Sequence, residues 1–65
     1  MKTIESTLAM LTDLSIVEDL RKILREKDRE FLPEEAKFQE AVRDLTARIG
    51  RNVANELVAA WDRQI

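Results

Sequence analysis

The second half of the chain, residues 34–65, reads EEAKFQEAVRDLTARIGRNVANELVAAWDRQI and contains the longest regular pattern in the sequence. Large apolar residues recur in it at steps of three or four: Phe38, Val42, Leu45, Ile49, Val53, Leu57 and Trp61. Because an α-helix turns about 100° per residue, these positions stay on one side of a helix. The pattern predicts a long helix over about residues 34–63, along which the first half of the chain folds.

Gly50 lies inside this pattern and admits two interpretations. It could be a left-handed residue that ends one helix, with Asn52 as the N-cap of another. However, the apolar residues keep their phase across it, from Ile49 to Val53. We therefore expect one continuous helix, in which Gly50 is a weak point that costs about 1 kcal/mol relative to alanine. Alanine at this position is then expected to stabilise the protein.

The first half of the chain contains two shorter amphipathic patterns. The first places three apolar residues on one face: Ile4, Leu8 and Leu11. Thr3 is a suitable N-cap for this segment, and the two features together predict a helix over about residues 3–13. The second pattern lies nearly opposite in phase and comprises Ile16, Val17, Leu20, Ile23, Leu24 and Phe31. A straight helix cannot bury both faces on one neighbour, so we expect a break at residues 12–15.

Two local signals define the ends of the second helix. Ser15 and Glu18 have the spacing of a capping box, in which each side chain accepts a hydrogen bond from the other residue's amide. At the other end, Leu32 precedes Pro33 and is therefore biased away from helical angles. These signals predict a helix over about residues 16–31, followed by a tight turn that makes its neighbours antiparallel.

The composition excludes several classes of function. The 65 residues include no Cys and no His, which removes disulfides, thiolate metal sites and the commonest general base. The carboxylate pairs Glu26 with Glu30 and Glu40 with Asp44 lack a histidine partner, so we interpret them as solvated surface groups. We expect no enzymatic activity, no cofactor, no metal and no small-molecule substrate. No apolar run has the length of a signal core or a membrane span, so we expect a cytoplasmic protein that does not enter the membrane.

The apolar face of the last predicted helix widens after Gly50. One short neighbour would not cover a face of this width, and a tryptophan in such a patch is a typical anchor of an interface. We therefore predict an interface with a second copy or another protein, formed by Val53, Ala54, Leu57, Val58, Trp61 and Ile65. The other interpretation is that the N-terminal helix covers the whole face.

A row of basic residues, here called the cationic stripe, follows the solvent face of the second predicted helix: Arg21, Lys22, Arg25 and Arg29. Guanidinium groups in a row can contact successive phosphates. Acidic residues such as Glu18 and Glu26 flank the stripe, and no aromatic residue is expected on this face to stack on bases. The pattern favours a solvated face of mixed charge and leaves nucleic-acid binding as the less favoured possibility, which the formal net charge of −2 does not support.

Together these patterns predict an all-α fold in a single domain of residues 1–65. Its architecture is an antiparallel helical hairpin with a short extra N-terminal helix, and two copies would complete a helical bundle as a dimer. The expected function is that of a non-enzymatic protein–protein interaction module, such as a small regulator, adaptor or accessory subunit, acting through contacts between helices. The alternative is a dimeric nucleic-acid-binding regulator that uses the face of Arg21, Arg25 and Arg29.

Overall fold

A computed structural model describes residues 3–63, and this part of the chain forms α-helices and no strand. The four helices are α1 (Ile4–Met10), α2 (Leu14–Asp28), α3 (Glu34–Ile49) and α4 (Arg51–Asp62). Helix α3 packs against both α2 and α4, and α1 packs against α4. The all-α prediction is confirmed, but the arrangement is a compact bundle of four helices within one chain.

The prediction of one continuous helix over residues 34–63 is wrong. Helix α3 ends at Ile49 and α4 begins at Arg51, because Gly50 adopts φ 118° and ψ 170°. This region of backbone conformation is almost restricted to glycine. The largest dimension of the molecule is 27 Å, whereas a continuous helix of 30 residues would be roughly 45 Å long.

The break at Gly50 costs few hydrogen bonds. The Gly50 amide donates to the Thr46 carbonyl at 3.1 Å, and the Gly50 carbonyl accepts from the Ala54 amide at 3.4 Å. One residue therefore completes the end of α3 and the start of α4. Both helices then turn their apolar faces to the same core, and for this reason the phase of the sequence pattern does not reveal the reversal.

The reversal brings the two ends of the α3–α4 segment together. The rings of Phe38, in the second turn of α3, and Trp61, in the last turn of α4, stack with centroids 4.3 Å apart and an interplanar angle of 17°. Both residues are buried, at 2% and 7% exposure. Stacked aromatic pairs contribute roughly 0.5–1.5 kcal/mol beyond the area they bury. This contact fixes α3 and α4 as an antiparallel hairpin.

The capping residues agree with the sequence at α1 and differ at α2. Thr3 is the N-cap of α1, as predicted, and its hydroxyl accepts from the Ser6 amide at 3.0 Å. The capping box predicted at Ser15 is wrong, because Asp13 caps α2: its carboxylate accepts from the Ser15 amide at 2.9 Å and from the Ile16 amide at 3.4 Å. A carboxylate suits this position, since it also interacts favourably with the positive end of the helix.

The second helix ends three residues earlier than predicted. After Asp28 the hydrogen bonds change from the α-helical pattern to a tighter turn. The amides of Arg29, Glu30 and Phe31 each donate to the carbonyl three residues earlier in the chain. Phe31 then adopts a left-handed conformation, with φ 57°, and its side chain is 92% exposed instead of joining the apolar side of α2. The predicted turn at Leu32 and Pro33 is present, and Pro33 directly precedes the first residue of α3.

The core draws on all four helices. Its least exposed large side chains are Leu20, Ile23, Leu45 and Leu57, each at 0–1% exposure. Thr7 of α1 is also fully buried, and its hydroxyl donates to the Thr3 carbonyl at 3.1 Å, so the burial of this polar group is compensated. The amide of Ile4 donates to the Glu34 carboxylate at 2.9 Å, which ties the start of α1 to the start of α3.

Substitutions at Gly50 test the reversal. Gly50→Ala is expected to destabilise the protein by about 1–3 kcal/mol, because alanine is strained at this φ and ψ. The strain arises from the backbone alone, since a Cβ at this position would meet no atom within 4 Å. D-alanine, introduced by chemical synthesis, is the matched control: it favours positive φ and should stabilise by about 0.4–1 kcal/mol. Urea unfolding measures both effects, and a stabilising Gly50→Ala would mean that the helix is continuous.

Candidate functional site

Most of the interface predicted after Gly50 belongs to the core of the same chain. Ala54, Leu57 and Trp61 are buried at 8%, 0% and 7% exposure, and Val53 is half-buried. The premise that a short neighbour leaves this face uncovered is wrong, because the hairpin brings α3 against α4 while α1 packs on α4 as well. Ile65 lies outside the described residues.

Val58 is the member of the predicted interface that remains on the surface. It is 44% exposed and lines a shallow groove of about 260 Å³ between α3 and α4. The other residues that line this groove are Phe38, Gln39, Val42, Arg43 and Thr46. The groove has an apolar floor and a polar rim, which is a suitable surface for a limited contact with another helix.

The cationic stripe has the placement that the sequence predicts. Arg21, Lys22 and Arg25 are exposed on α2, and Arg29 is exposed at its C-cap. Within residues 3–63 none of the four makes an ion pair, although Glu18 and Glu26 lie on the same helix. Three members of the stripe, with Glu26, line a shallow depression on the surface of α2: Lys22, Arg25 and Arg29.

The lysines between α2 and α3 are, by contrast, fully engaged. The Lys27 ammonium lies 3.1 Å from the Glu40 carboxylate, 3.4 Å from Asp44 and 3.9 Å from Glu30. A second ion pair joins Lys37 of α3 to Asp28 of α2. Of the two carboxylate pairs considered in the sequence, Glu40 with Asp44 and one member of the other, Glu30, lie around Lys27. The described residues contain no cluster of potential metal ligands.

The environment of Lys27 raises the pKa of its ammonium group above the usual 10.5. The largest cause is the hydrogen bond to Glu40, followed in the same direction by the hydrogen bond to Asp44 and the charges of Asp44 and Glu30. Partial desolvation acts in the opposite direction, since the side chain is only 15% exposed. The charged form of Lys27 is thus part of the contact between α2 and α3.

Two exposed apolar residues were not identified as surface features from the sequence. Phe31 is 92% exposed at the turn after α2, and Leu14 is 77% exposed at the first residue of α2. The sequence does contain a signal for Phe31, because a helix that ends just before an X-Pro pair often finishes with a left-handed residue. Leu14 has no such signal, since its exposure follows from the cap at Asp13.

Comparisons of the chain with protein-family models, with curated proteins and with solved structures give no match. None of the described helices has the length and apolar character needed to cross a membrane.

The pKa of Lys27 offers a test of the contact between α2 and α3. Replacing both partners, by Glu40→Gln with Asp44→Asn, should lower the pKa of Lys27 toward 10.5, which an NMR titration of the lysine side chain measures. Glu35→Gln, an exposed carboxylate on the same helix, is the control and should leave this pKa unchanged. An unaltered pKa in the double variant would contradict the observed pairing.

The direction of this pKa shift also determines how the free energy of unfolding depends on pH. Because the folded pKa lies above the unfolded value of 10.5, the stabilisation from charged Lys27 is fully present below that pH. It is lost as the pH rises through the folded pKa. Unfolding free energy should therefore fall at pH above 10.5 more steeply in the wild type than in the double variant.

Proposed function

We propose that this chain is a non-enzymatic protein–protein interaction module, such as a small regulator, adaptor or accessory subunit, that acts through contacts between helices. The observation that supports the proposal is the state of Phe31. This aromatic side chain is 92% exposed and its backbone is left-handed, with φ 57°.

Both properties of Phe31 are unfavourable in the isolated chain. A left-handed conformation costs a residue with a Cβ roughly 1–2 kcal/mol. An exposed phenylalanine also forgoes about 1.5–3 kcal/mol that full burial of the ring would contribute. Glycine or asparagine would suit the same turn and would leave no apolar ring in water. Strained, exposed residues concentrate at functional sites, and aromatic residues are frequent anchors in protein interfaces.

The backbone of Phe31 lies in a short turn between two packed helices. Helix α2 ends at Asp28, three residues before Phe31, and Pro33 follows two residues after it, with φ −55°, directly before α3. Three ion pairs between α2 and α3, formed by Lys27 and Lys37, hold the helices on either side of the turn. An anchor on a rigid turn loses little conformational entropy when it binds, which favours affinity.

The proposal includes self-association as a dimer through the groove between α3 and α4. Two facts support it: Val58 and Val42 offer apolar surface on adjacent helices, and a single core in a chain of this size contributes only about 3–5 kcal/mol. A helix from a second copy fits a groove of this kind, and a two-fold arrangement would bury the groove of each copy at once.

The alternative function is a dimeric nucleic-acid-binding regulator. The absence of ion pairs within residues 3–63 for Arg21, Arg25 and Arg29 supports it, and Phe31, two residues after Arg29 in the chain, supplies an exposed aromatic residue. The formal net charge of −2 and the acidic residues on α2 count against it. Binding that weakens steeply as salt is added would favour this alternative, because phosphate contacts release counterions.

A substitution that places a charge in the groove between α3 and α4 tests the proposed dimer. Val58→Asp should convert a dimer at micromolar concentration into a monomer, because a carboxylate would be desolvated at the contact. The fold should survive, since Val58 is 44% exposed. Sedimentation equilibrium gives the mass of each species. Ala59→Asp, on the exposed neighbouring residue, is the control and should remain dimeric. A wild-type protein that is monomeric throughout would refute self-association.

Phe31 is tested by separating stability from binding. Phe31→Asn should stabilise the protein by about 1 kcal/mol, because asparagine tolerates the left-handed conformation. The same change should remove binding to a protein partner captured from an extract of the source cells. Phe31→Ser is the matched control, since it also removes the ring but gives a smaller gain in stability.

The capture itself uses a photoreactive benzoylphenylalanine in place of Phe31, with the same group in place of the exposed Ala47 as the control. The proposal requires a protein that crosslinks from position 31 and not from position 47. Crosslinks to nucleic acid alone, or none at all, would exclude the proposed function.

A further inference from the structure

The outer face of α2 differs from the other charged surfaces of the molecule. Lys27 and Lys37 are held by carboxylates of the neighbouring helix, so their charge is neutralised inside the fold. The cationic stripe is not neutralised in this way within residues 3–63. Beside these four cations lie Glu18 and Glu26 of α2 and Glu5 of α1, which lines a cavity together with Arg21 and Arg25, so four cations face three carboxylates outside the ion pairs given above. This face therefore presents an excess of positive charge, although the whole chain is formally negative.

The most exposed large apolar side chains of the described residues flank the stripe along the chain, one at the first residue of α2 and the other in the turn after it. Leu14, at 77% exposure, begins α2 and is seven residues before Arg21, so both lie on the same side of the helix. Phe31, at 92% exposure, follows Arg29 by two residues. At 1.5 Å per residue, Leu14 and Arg29 are about 22 Å apart. A partner that covers the face must offer apolar groups at its ends and negative charge between them.

A second copy using the same face fits less well than an acidic partner. Two α2 helices related by a two-fold axis and running antiparallel would bring the middle of each stripe together. Arg25 of one copy would then meet Arg25 of the other, and like charges in contact are unfavourable. The carboxylates of this surface do not balance its four cations, so an occupant that adds negative charge fits better than one that repeats the same charges.

A ligand with a phosphate backbone, such as a nucleic acid, fits the outer face of α2 less well than a polypeptide does. Phosphates that followed the stripe would pass the exposed carboxylates of Glu18 and Glu26, whereas a peptide can place neutral or basic side chains there. A phosphate backbone also has no apolar group to cover Leu14. The formal net charge of −2 gives no long-range attraction for a polyanion.

We propose that the outer face of α2, from Leu14 to Phe31 and including the cationic stripe, docks an acidic amphipathic helix of a partner protein. The assignment rests on the proposed function and names the chemistry of its partner. Carboxylates at intervals of four residues on that helix lie about 6 Å apart, as do Arg21, Arg25 and Arg29 along α2. Planar guanidinium groups bind carboxylates through two parallel hydrogen bonds, and leucine-like residues near the helix ends cover Leu14 and Phe31.

The experiment uses a defined probe, a synthetic helical peptide of about 16 residues with glutamates at four-residue spacing and a leucine near each end. Fluorescence anisotropy measures its binding to the 65-residue chain. Replacing its glutamates by glutamine should weaken binding by about tenfold or more. The stripe variant, Arg21→Gln with Arg25→Gln and Arg29→Gln, should bind the acidic peptide about tenfold more weakly than the wild type does.

The matched control removes three positive charges elsewhere. Arg48, Arg51 and Arg63 are also exposed, and changing all three to glutamine alters the net charge equally. This control should bind the acidic peptide within about threefold of the wild type, because rim charges far from a contact act mainly through weak, screened fields. An equal loss in the two triple variants, or no binding of the acidic peptide to the wild type, overturns the assignment.

Two further probes separate other classes of partner. A single-stranded oligothymidine or phosphatidylserine vesicles that bind more tightly than the peptide, with the same dependence on the stripe, would replace the acidic helix with a phosphate ligand. The proposed docking site can also be refuted by a result that leaves the proposed interaction function standing. If a protein partner crosslinks from position 31 but binds the stripe variant as tightly as the wild type, the interaction function stands and this face is not its site.

Discussion

The conformation of Gly50 is the constraint on which the rest of the structure depends. With φ 118° and ψ 170° at this single residue, a segment with the apolar period of one long helix folds into a hairpin. The hairpin brings Trp61 onto Phe38 and encloses Leu45 and Leu57 in one core. Without the reversal, α4 would extend beyond its neighbours and expose the apolar face that the hairpin buries. A side chain at position 50 would strain this conformation, whatever space surrounds it.

The hairpin also determines how the charges are distributed. Helix α3 is the central element, because α2 packs on one side of it and α4 on the other. The carboxylates on the α2 side of α3 hold Lys27, and the amide of Ile4 is held by Glu34. These contacts use acidic groups where the helices meet at the surface. The arginines of α2 face solvent instead, so a chain with a negative formal charge presents a row of cations along one helix.

The two surfaces with a proposed role arise from different features of the fold. The groove between α3 and α4 exists because the hairpin places Val42 beside Val58. The outer face of α2 exists because the core uses the opposite side of the same helix, where Leu20 and Ile23 are buried. Its apolar ends are consequences of two local events, the cap at Asp13 and the left-handed turn at Phe31.

Much of the fold could be predicted from the sequence, because local chemistry determines it. Thr3 as a cap, the phase break between the first two helices and the turn at Pro33 each depend on neighbouring residues. The reversal at Gly50 could not be predicted from periodicity, since a hairpin and a straight helix can share one phase. Asp13 and Ser15 both have side chains that can cap α2, and sequence spacing favoured Ser15 although the structure uses Asp13.

The errors at the candidate site have the same origin. Burial of Trp61 and Leu57 depends on the reversal, so both were assigned to an interface when the helix was expected to be straight. Phe31 was assigned to the buried side of α2 because the pattern did not show where that helix ends. The exposure of the cationic stripe was correctly anticipated, since polar residues opposite an apolar face need no tertiary information.

The central claim is that Gly50 reverses the chain, and the nuclear Overhauser effect between the rings of Phe38 and Trp61 tests it most directly. With the rings stacked at 4.3 Å, strong cross-peaks between phenyl and indole protons are expected in the wild-type protein. In a continuous helix these residues would be about 35 Å apart, and no cross-peak could arise within one chain. Mixing labelled and unlabelled protein distinguishes contacts within a chain from contacts between copies. Absence of the intramolecular cross-peak, with helical connectivities unbroken through Gly50, would contradict the account.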